Sequence, residues 1–268
     1  MLIACKILGV RCGWVPPSPL STERRILPEL GTTSEPSGVA KTLASIEHSG
    51  THESYVNLIS GKADFLLVAR PPSDDELRSA RSARVKLEVT VVALDAFVFL
   101  VNARNPVDDL TIDQVRGIYT GAITDWAEVG GTAGQIKAYQ RDRNSGSQEL
   151  MEALVMKGTR MIEAPDMIME TMAGPINAVG RDPQGIGYSV YYYATVMLPD
   201  SKVKLVGVGG AMPTSETIGR RTYPLVAEVY AALRGGMPRD STAVMLRDWL
   251  LTTDGQAVVV ESGYVTAR

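Results

Sequence analysis

Apolar residues recur along this chain with two alternating periods, which predicts strands and helices in alternation. Short apolar runs predict buried strands, and apolar residues three and four positions apart predict helices with one buried face. The runs predict strands at residues 65–68, 89–101, 135–140, 185–193, 202–208 and 225–233. The helical spacing predicts helices that begin near residues 52, 73, 108, 145, 241 and 254. This order favours an α/β fold with mostly parallel sheets flanked by helices.

The longest predicted strand, residues 89–101, is apolar apart from Thr90 and Asp95. A single carboxylate inside a long apolar strand is expected where a chain crosses between two lobes. The Gly-started and Tyr-rich strand at 185–193 is the candidate for the return crossing. A chain of 268 residues exceeds the usual size of a single core, which also favours two lobes.

Cationic, hydroxyl and glycine residues converge between the strand at 135–140 and the helix that follows it. Arg141 comes first, and Ser145, Gly146 and Ser147 stand where the helix should begin. The first N–H groups of a helix have no internal partner and its dipole is positive there, so an anion is stabilised at that end. Gly146 allows a ligand to approach the backbone closely. The loop therefore predicts a site for a tetrahedral oxyanion.

The same loop has a simpler interpretation. Ser145 or Ser147 would only cap the helix, helped by Gln148 or Glu149, while Arg141 and Arg143 would be solvated.

A second loop repeats this pattern earlier in the chain. Residues 48–54 read His-Ser-Gly-Thr-His-Glu-Ser and lead into the apolar positions of a helix. Thr51 and the neighbouring backbone at Gly50 are therefore further candidates for anion contacts, with an ordinary helix cap as the alternative for Thr51.

Composition excludes several classes of protein and site. The net charge is −3 with no long run of Lys and Arg, which argues against nucleic acid as a partner. No apolar run reaches about 18 residues, the length expected of a membrane-spanning helix. Cys5 and Cys12 lie far from His48 and His52, so no metal site is expected and the cysteines are interpreted as small buried apolar residues.

Five segments together resemble the phosphate-binding, periplasmic-type solute-binding proteins. They are residues 107–111, 118–126, 141–147, 185–188 and 250–256. The resemblance implies a type II binding-protein fold, in which two α/β lobes joined by a two-strand hinge close over an oxyanion. It implies a discontinuous first lobe, mapped here to residues 1–94 plus 194–268, with residues 95–193 forming the second lobe.

The resemblance also implies ligand contacts. Those carried over by motif are Arg141, Ser145, Gly146 and Ser147 on the second lobe and Thr51, with the backbone at Gly50, on the first. His52 either touches the ligand or only covers the start of the helix. Arg70 is either an added cation at the site or a solvated residue before Pro71.

Two features depart from the family pattern. Phosphate-selective members place an acid shortly after the strand equivalent to 65–68, whereas this chain has Ala69. Without that acceptor, we expect sulfate or an anionic ester to be tolerated as well as phosphate. Family members also begin with a strand and a Gly/Ser/Thr loop, and Met1 is interpreted as already inside the first helix. The opening strand and any export signal would then be missing, and the exposed sheet edge would allow an expected monomer to associate.

The resemblance implies a non-enzymatic receptor outside the cytoplasm, in the periplasm or at the cell surface. It would need no cofactor and would deliver phosphate or a similar oxyanion to a membrane ABC permease. One alternative is a sensory module with the same fold. Another is a serine hydrolase that uses Ser145, Ser147 or Ser189 with His48 or His52, although the chain has no Gly-x-Ser-x-Gly elbow.

Overall fold

The computed structural model describes residues 50–143, 145–197 and 202–267. The chain forms two compact units, one from Met1–Ala93 with Glu228–Arg268 and the other from Leu94–Ala227. The expectations for Cys5, Cys12, His48 and the opening segment of the chain lie outside the described residues.

Strands and helices alternate along the described chain. The strands are β1 Phe65–Val68, β2 Leu87–Asn102, β3 Asp109–Leu110, β4 Lys137–Ala138, β5 Gln140–Arg141, β6 Ile168–Met169, β7 Gly185–Val190, β8 Val203–Val208, β9 Val226–Arg234 and β10 Val265–Thr266. The α-helices are α1 Thr51–Ser60, α2 Asp74–Ser82, α3 Ile112–Thr120, α4 Gly146–Leu150, α5 Gly174–Arg181, α6 Ser215–Gly219, α7 Thr242–Leu250 and α8 Thr253–Glu261. Short 3₁₀ helices lie at Trp126–Val129 and Pro165–Met167, and π-helical turns at Met151–Met156 and Tyr193–Met197.

The first unit packs helices against an antiparallel pair of strands. β1 pairs with β9 from Phe65 opposite Leu233 to Val68 opposite Tyr230. The α1 side chains Tyr55 and Leu58 are fully buried against this pair. A second cluster joins the early part of β2 and the β9 strand to α7 and α8, through Val92, Ala93, Val229, Ala231, Leu250, Val258 and Val259. The first of these clusters anchors α1 on the β1–β9 pair.

The second unit is built around the later part of β2. β7 runs antiparallel to it from Phe97 opposite Val190 to Val101 opposite Ile186, and β8 is also antiparallel to it. β4 pairs in parallel with β7, and β3 in parallel with β8. A cluster of aromatic rings with centroids 5.4 to 6.4 Å apart fills the centre, formed by Phe97, Phe99, Tyr119 and Tyr188.

The strand pairing differs from the expected mostly parallel arrangement. Both partners of the later part of β2 are antiparallel to it, and so is the β1–β9 pair, so the sheet is mixed. The strand at 89–101 does carry the chain from the first unit to the second, between Ala93 and Leu94.

The return crossing lies within β9, between Ala227 and Glu228, rather than at residue 194. Residues 202–227 stay in the second unit, where β8 pairs with the later part of β2. The Tyr223 hydroxyl also donates to the Phe97 carbonyl over 3.0 Å. These long-range pairings leave no trace in the apolar pattern of the sequence.

Two predicted elements have different bounds. The helix expected from residue 108 begins at Ile112, because residues 109–110 pair with β8 and Thr111 caps the helix. The strand expected at 135–140 is split into β4 and β5, which pair with β7 and β6 respectively.

Candidate functional site

Arg141 is the most unusual side chain of the second unit. It ends β5, whose parallel pairing with β6 places Arg141 opposite Met169. The residue is only 7% exposed. Its backbone N–H donates to the Tyr188 hydroxyl over 2.8 Å, and its Nη2 donates to the Glu170 carbonyl over 3.2 Å. The fold therefore fixes both the backbone and one arm of the guanidinium.

The remaining donors of this guanidinium are unused. Nε and Nη1 of Arg141 are buried and donate to no atom of the described residues. Burial lowers the pKa of Arg141, yet a guanidinium stays protonated in proteins. A buried charged donor without an acceptor is costly, since it has lost its water. Each of these N–H groups can donate a charge-assisted hydrogen bond to an oxyanion.

The helix that follows begins as the sequence predicts. Ser145 is the N-cap of α4, and its Oγ accepts from the Gln148 backbone N–H over 3.3 Å. The capping role considered for Ser145 is thus present, and the hydroxyl still has its own proton to donate. Ser147 is buried in the first turn. A Cβ on Gly146 would meet no described atom within 4 Å, so packing among these residues does not require a glycine.

Arg141 and Ser145 share one cavity of about 410 Å³. Its other lining residues are Asp142 and Glu170. Arg141 and Ser145 are the two lining residues that the sequence predicted as ligand contacts. The two acidic lining residues, Asp142 and Glu170, were not predicted as contacts. Gly146 and Ser147 follow directly in the first turn of α4.

Tyr188 and Gln148 hold this arrangement together. The Tyr188 hydroxyl accepts from the Arg141 backbone N–H and donates to Gln148 Oε1. Gln148 Nε2 in turn donates to Glu152 Oε1 over 3.2 Å. Burial raises the pKa of Tyr188 above its usual range, so the phenol keeps its proton. Tyr188 lies in one of the family segments, but the sequence predicted no role for it. Gln148 was predicted only as a possible capping partner.

In the first unit, Gly50, Thr51 and His52 form the start of α1. Gly50 is the N-cap in an extended conformation, and as a glycine it has no side chain to cap the helix. The first intrahelical hydrogen bond runs from Ser54 N–H to the Gly50 carbonyl over 2.9 Å. The N–H groups of residues 51–53 precede it and have no acceptor within the helix. Thr51 is half-buried beside them.

Arg70 and His52 are both bound to Glu76. The Glu76 carboxylate is 1% exposed and accepts two hydrogen bonds of 2.9 Å from the Arg70 guanidinium. It also lies 3.0 Å from His52 Nδ1 and accepts from the Ser73 backbone N–H over 2.8 Å. Burial raises the pKa of Glu76, but the hydrogen bonds from Arg70, Ser73 and His52 outweigh it and lower the pKa to about 2.

The Glu76 contacts change the interpretation of both side chains. Arg70 is not a solvated residue before the Pro pair, since its charge is paired with a buried carboxylate. The His52 ring is 65% exposed and connects the start of α1 to α2. Nothing in the sequence distinguishes Glu76 beyond its place in an acidic first turn.

Comparisons with known proteins agree with this architecture. A family model described as a PBP superfamily domain matches residues 36–251. The chain belongs to the PBP superfamily. Phosphate-binding protein PstS of Staphylococcus saprophyticus is 30% identical over 191 residues, which cover 68% of this chain and 58% of that protein. The Bacillus subtilis protein of the same name is 28% identical, with the same coverage. The chain thus spans about 58% of the length of these relatives.

Solved structures show the same fold. An ABC-type phosphate transport receptor from Vibrio cholerae has a TM-score of 0.66 and 26% identity, covering 81% of this chain and 86% of that one. A Clostridium perfringens protein solved with bound phosphate has a TM-score of 0.67 and 23% identity, with 82% and 85% covered. The family resemblance and the two-lobed α/β fold expected from the sequence are thereby confirmed.

A larger cavity of this PBP-superfamily chain is a weaker candidate. It measures about 560 Å³ and lies where the end of β2 meets α5. Its buried polar side chain, Asn102, donates to the carbonyls of Val179 and Gly180 and accepts from the Arg104 N–H. Since this amide is satisfied, the cavity lacks the buried unused donors found at Arg141.

Two absences hold for the described residues 50–143, 145–197 and 202–267. No group of three or more His, Cys, Asp or Glu side chains among them could hold a metal ion. No helix among them is long and apolar enough to cross a membrane.

Proposed function

We propose that this chain is a substrate-binding protein that captures phosphate or a related tetrahedral oxyanion. The observation that carries the proposal is the Arg141 guanidinium, which is buried and presents two donors with no acceptor among the described residues. An oxyanion would accept a charge-assisted hydrogen bond from such a donor. Ser145 lines the same cavity with a hydroxyl that can donate another.

The proposed ligand set includes the residues expected from the family motifs. In the second unit these are Arg141, Ser145, Gly146 and Ser147. In the first unit they are Thr51 and the backbone at Gly50, beside the N–H groups at the start of α1. His52 and Arg70 take a supporting role, because Glu76 already binds both.

The biological role is proposed from the relatives. The Staphylococcus and Bacillus proteins are named for phosphate binding, and the Vibrio structure is named as an ABC-type phosphate transport receptor. We propose by analogy that this chain acts outside the cytoplasm as a monomer and delivers its ligand to a membrane ABC permease.

A serine hydrolase has less support. The serines considered as nucleophiles are Ser145, Ser147 and Ser189, and of these Ser145 is the N-cap of α4. His52 is engaged by Glu76, and the two buried donors of Arg141 serve anion capture without any base.

Replacing Arg141 by Ala tests the proposal. We expect phosphate affinity, measured by isothermal titration calorimetry, to fall by about 2 to 4 kcal/mol, since a desolvated anion loses a charged partner. Arg143→Ala is the matched control, because Arg143 is exposed and two positions away. It should change affinity less than about threefold, a difference of roughly 0.7 kcal/mol. Equal affinity in wild type and a folded Arg141→Ala variant would place the anion elsewhere.

A further inference from the structure

The larger cavity, of about 560 Å³, is lined by three cationic side chains and by no acidic one among the described residues. The cations are Arg104, Arg181 and Lys202, and the other six lining residues are uncharged. The volume lies in the range of roughly 300 to 1,000 Å³ that is typical of small-molecule sites. All nine residues belong to the second unit, and none of them lines the cavity at Arg141. We call this the cationic cavity.

The three cations come from three elements that are bound to one another. Arg104 follows β2, and its backbone N–H donates to Asn102 Oδ1 over 3.1 Å. Lys202 directly precedes β8, and its carbonyl accepts from the Ala103 N–H over 3.0 Å. The Asn102 amide also donates to two carbonyls in the last turn of α5, the helix that ends with Arg181. Hydrogen bonds therefore connect the three backbone segments that carry the cations.

The cationic side chains are not neutralised by nearby acids of the described chain. All three are exposed, and none of them forms an ion pair or a side-chain hydrogen bond with the described residues. Asp182 is next to Arg181 in sequence, but it accepts from the Tyr139 hydroxyl over 2.9 Å and pairs with Lys137 Nζ at 3.0 Å. Three like charges around one cavity repel one another, so a ligand with several negative charges would relieve this repulsion.

The exposure of the cations determines which anion they would bind. An exposed charge pair contributes little by itself and is screened by salt, so a single small oxyanion would be held weakly. A molecule with several linked anionic groups contacts all three cations while it loses its translational freedom only once. Guanidinium and ammonium groups both bind phosphoryl oxygens well. The net charge of −3 disfavours a long polyanion, whereas a small one fits the cavity.

We propose that the cationic cavity is a second binding site, which takes a small compound with two or more linked phosphoryl groups. Short inorganic polyphosphates and nucleoside triphosphates share this chemistry. The site is separate from the one at Arg141 and does not depend on the function proposed there.

The test is isothermal titration calorimetry with tripolyphosphate at low ionic strength. Inorganic phosphate is present throughout, so that the proposed site at Arg141 is occupied. The test variant is Arg104→Gln with Arg181→Gln. The matched control is Arg78→Gln with Arg81→Gln, which removes the same charge from two exposed arginines of α2. Arg81 lies in the last turn of its helix, as Arg181 does, so the control also covers any effect on the helix end.

We expect the wild type to bind one tripolyphosphate per chain. Affinity should fall at least about tenfold in the test variant, because two of three charged donors are lost, and should stay unchanged in the control. Phosphate affinity, titrated separately, should be the same in all three proteins. Adenosine triphosphate in place of tripolyphosphate distinguishes the two sources, because tighter binding indicates a nucleotide and weaker binding indicates an inorganic polyphosphate.

Three results would overturn the inference. The wild type could fail to bind both tripolyphosphate and adenosine triphosphate, or the control could lose as much affinity as the test variant. A hexaglutamate peptide could also bind as tightly as tripolyphosphate and be weakened equally by the test substitutions, which would indicate a surface for acidic proteins. None of these results affects phosphate binding at Arg141. Failure of the wild type to bind phosphate would overturn the proposed function and leave this site standing.

Discussion

At the scale of single residues, the candidate site depends on a small number of individual side chains. Arg141 was found from the sequence because a cation followed by Ser-Gly-Ser at a helix start is an interpretable pattern. The roles of Tyr188, Gln148, Glu76 and Glu170 were not found, because each acts through a partner between 6 and 47 positions away. Such pairs exist only in the folded chain.

Tyr188→Phe should loosen the site without removing a ligand contact. It leaves the Arg141 backbone N–H and Gln148 Oε1 without their buried partner, which costs about 1 to 3 kcal/mol of unfolding free energy. Phosphate affinity should fall several-fold because Arg141 is less well positioned. Urea denaturation and calorimetry measure both effects. Tyr191→Phe is the control, since Tyr191 is partly exposed and its hydroxyl has no partner among the described residues; equal losses in both variants would contradict the positioning role.

Glu76→Gln should destabilise the first unit in a pH-dependent way. The pKa of Glu76 is lowered from 4.5 to about 2, so its charged contacts stabilise the fold above pH 4.5 and are lost as the pH falls towards 2. At neutral pH we expect a loss of about 1 to 3 kcal/mol in unfolding free energy. Asp74→Asn, at an exposed position in the same turn, is the control. A difference between wild type and Glu76→Gln that persists unchanged at pH 2 would contradict this account.

At the scale of elements, the apolar pattern predicted most of the described helices and strands. The strand expected at 65–68 has those bounds, and the helices expected near 145, 241 and 254 begin within a few residues of them. The pattern failed where pairing between distant segments decides a boundary. β3 occupies the start of the helix expected at 108, and β8 keeps the chain in the second unit.

Asp95 acts at the scale of elements because its hydrogen bonds connect β2 to the segment after β7. Its Oδ1 accepts from the N–H groups of Ala96 and Tyr192 over 2.8 and 3.0 Å. Burial raises the pKa of Asp95 from 3.8 to about 6, against the opposing effect of these two hydrogen bonds. The folded state therefore binds the Asp95 proton more tightly than the unfolded state does. The contribution of Asp95 to stability is greatest below pH 3.8 and decreases as the pH rises through 6.

Asp95→Asn should consequently be neutral or stabilising at neutral pH. The amide oxygen can accept the same two hydrogen bonds without the cost of a buried charge, which is worth on the order of 1 to 3 kcal/mol. Unfolding free energies measured by urea denaturation at several pH values test this. The variant should lose the part of the pH dependence that lies between about 4 and 6. Destabilisation of the variant by several kcal/mol at neutral pH would show that the ionised carboxylate is required.

At the scale of the whole molecule, the sequence predicted the family and the α/β class, because five ordered segments match a known pattern. It did not predict the return crossing in β9, since that crossing does not follow from local spacing. The expectation of a missing opening strand concerns residues outside the described part of the chain. The low net charge of −3 fits a ligand held by local donors rather than by the field of the whole protein.

The most direct test of the central claim observes the Arg141 guanidinium while phosphate is added. In ¹⁵N NMR spectra, the Nε–H signal absent from the Arg141→Lys variant identifies this side chain. We predict that this signal shifts and exchanges more slowly with solvent as phosphate saturates the protein, because a buried unused donor gains a charged acceptor. Phosphate binding detected by calorimetry with no change in that signal, or no binding at all, would contradict the account.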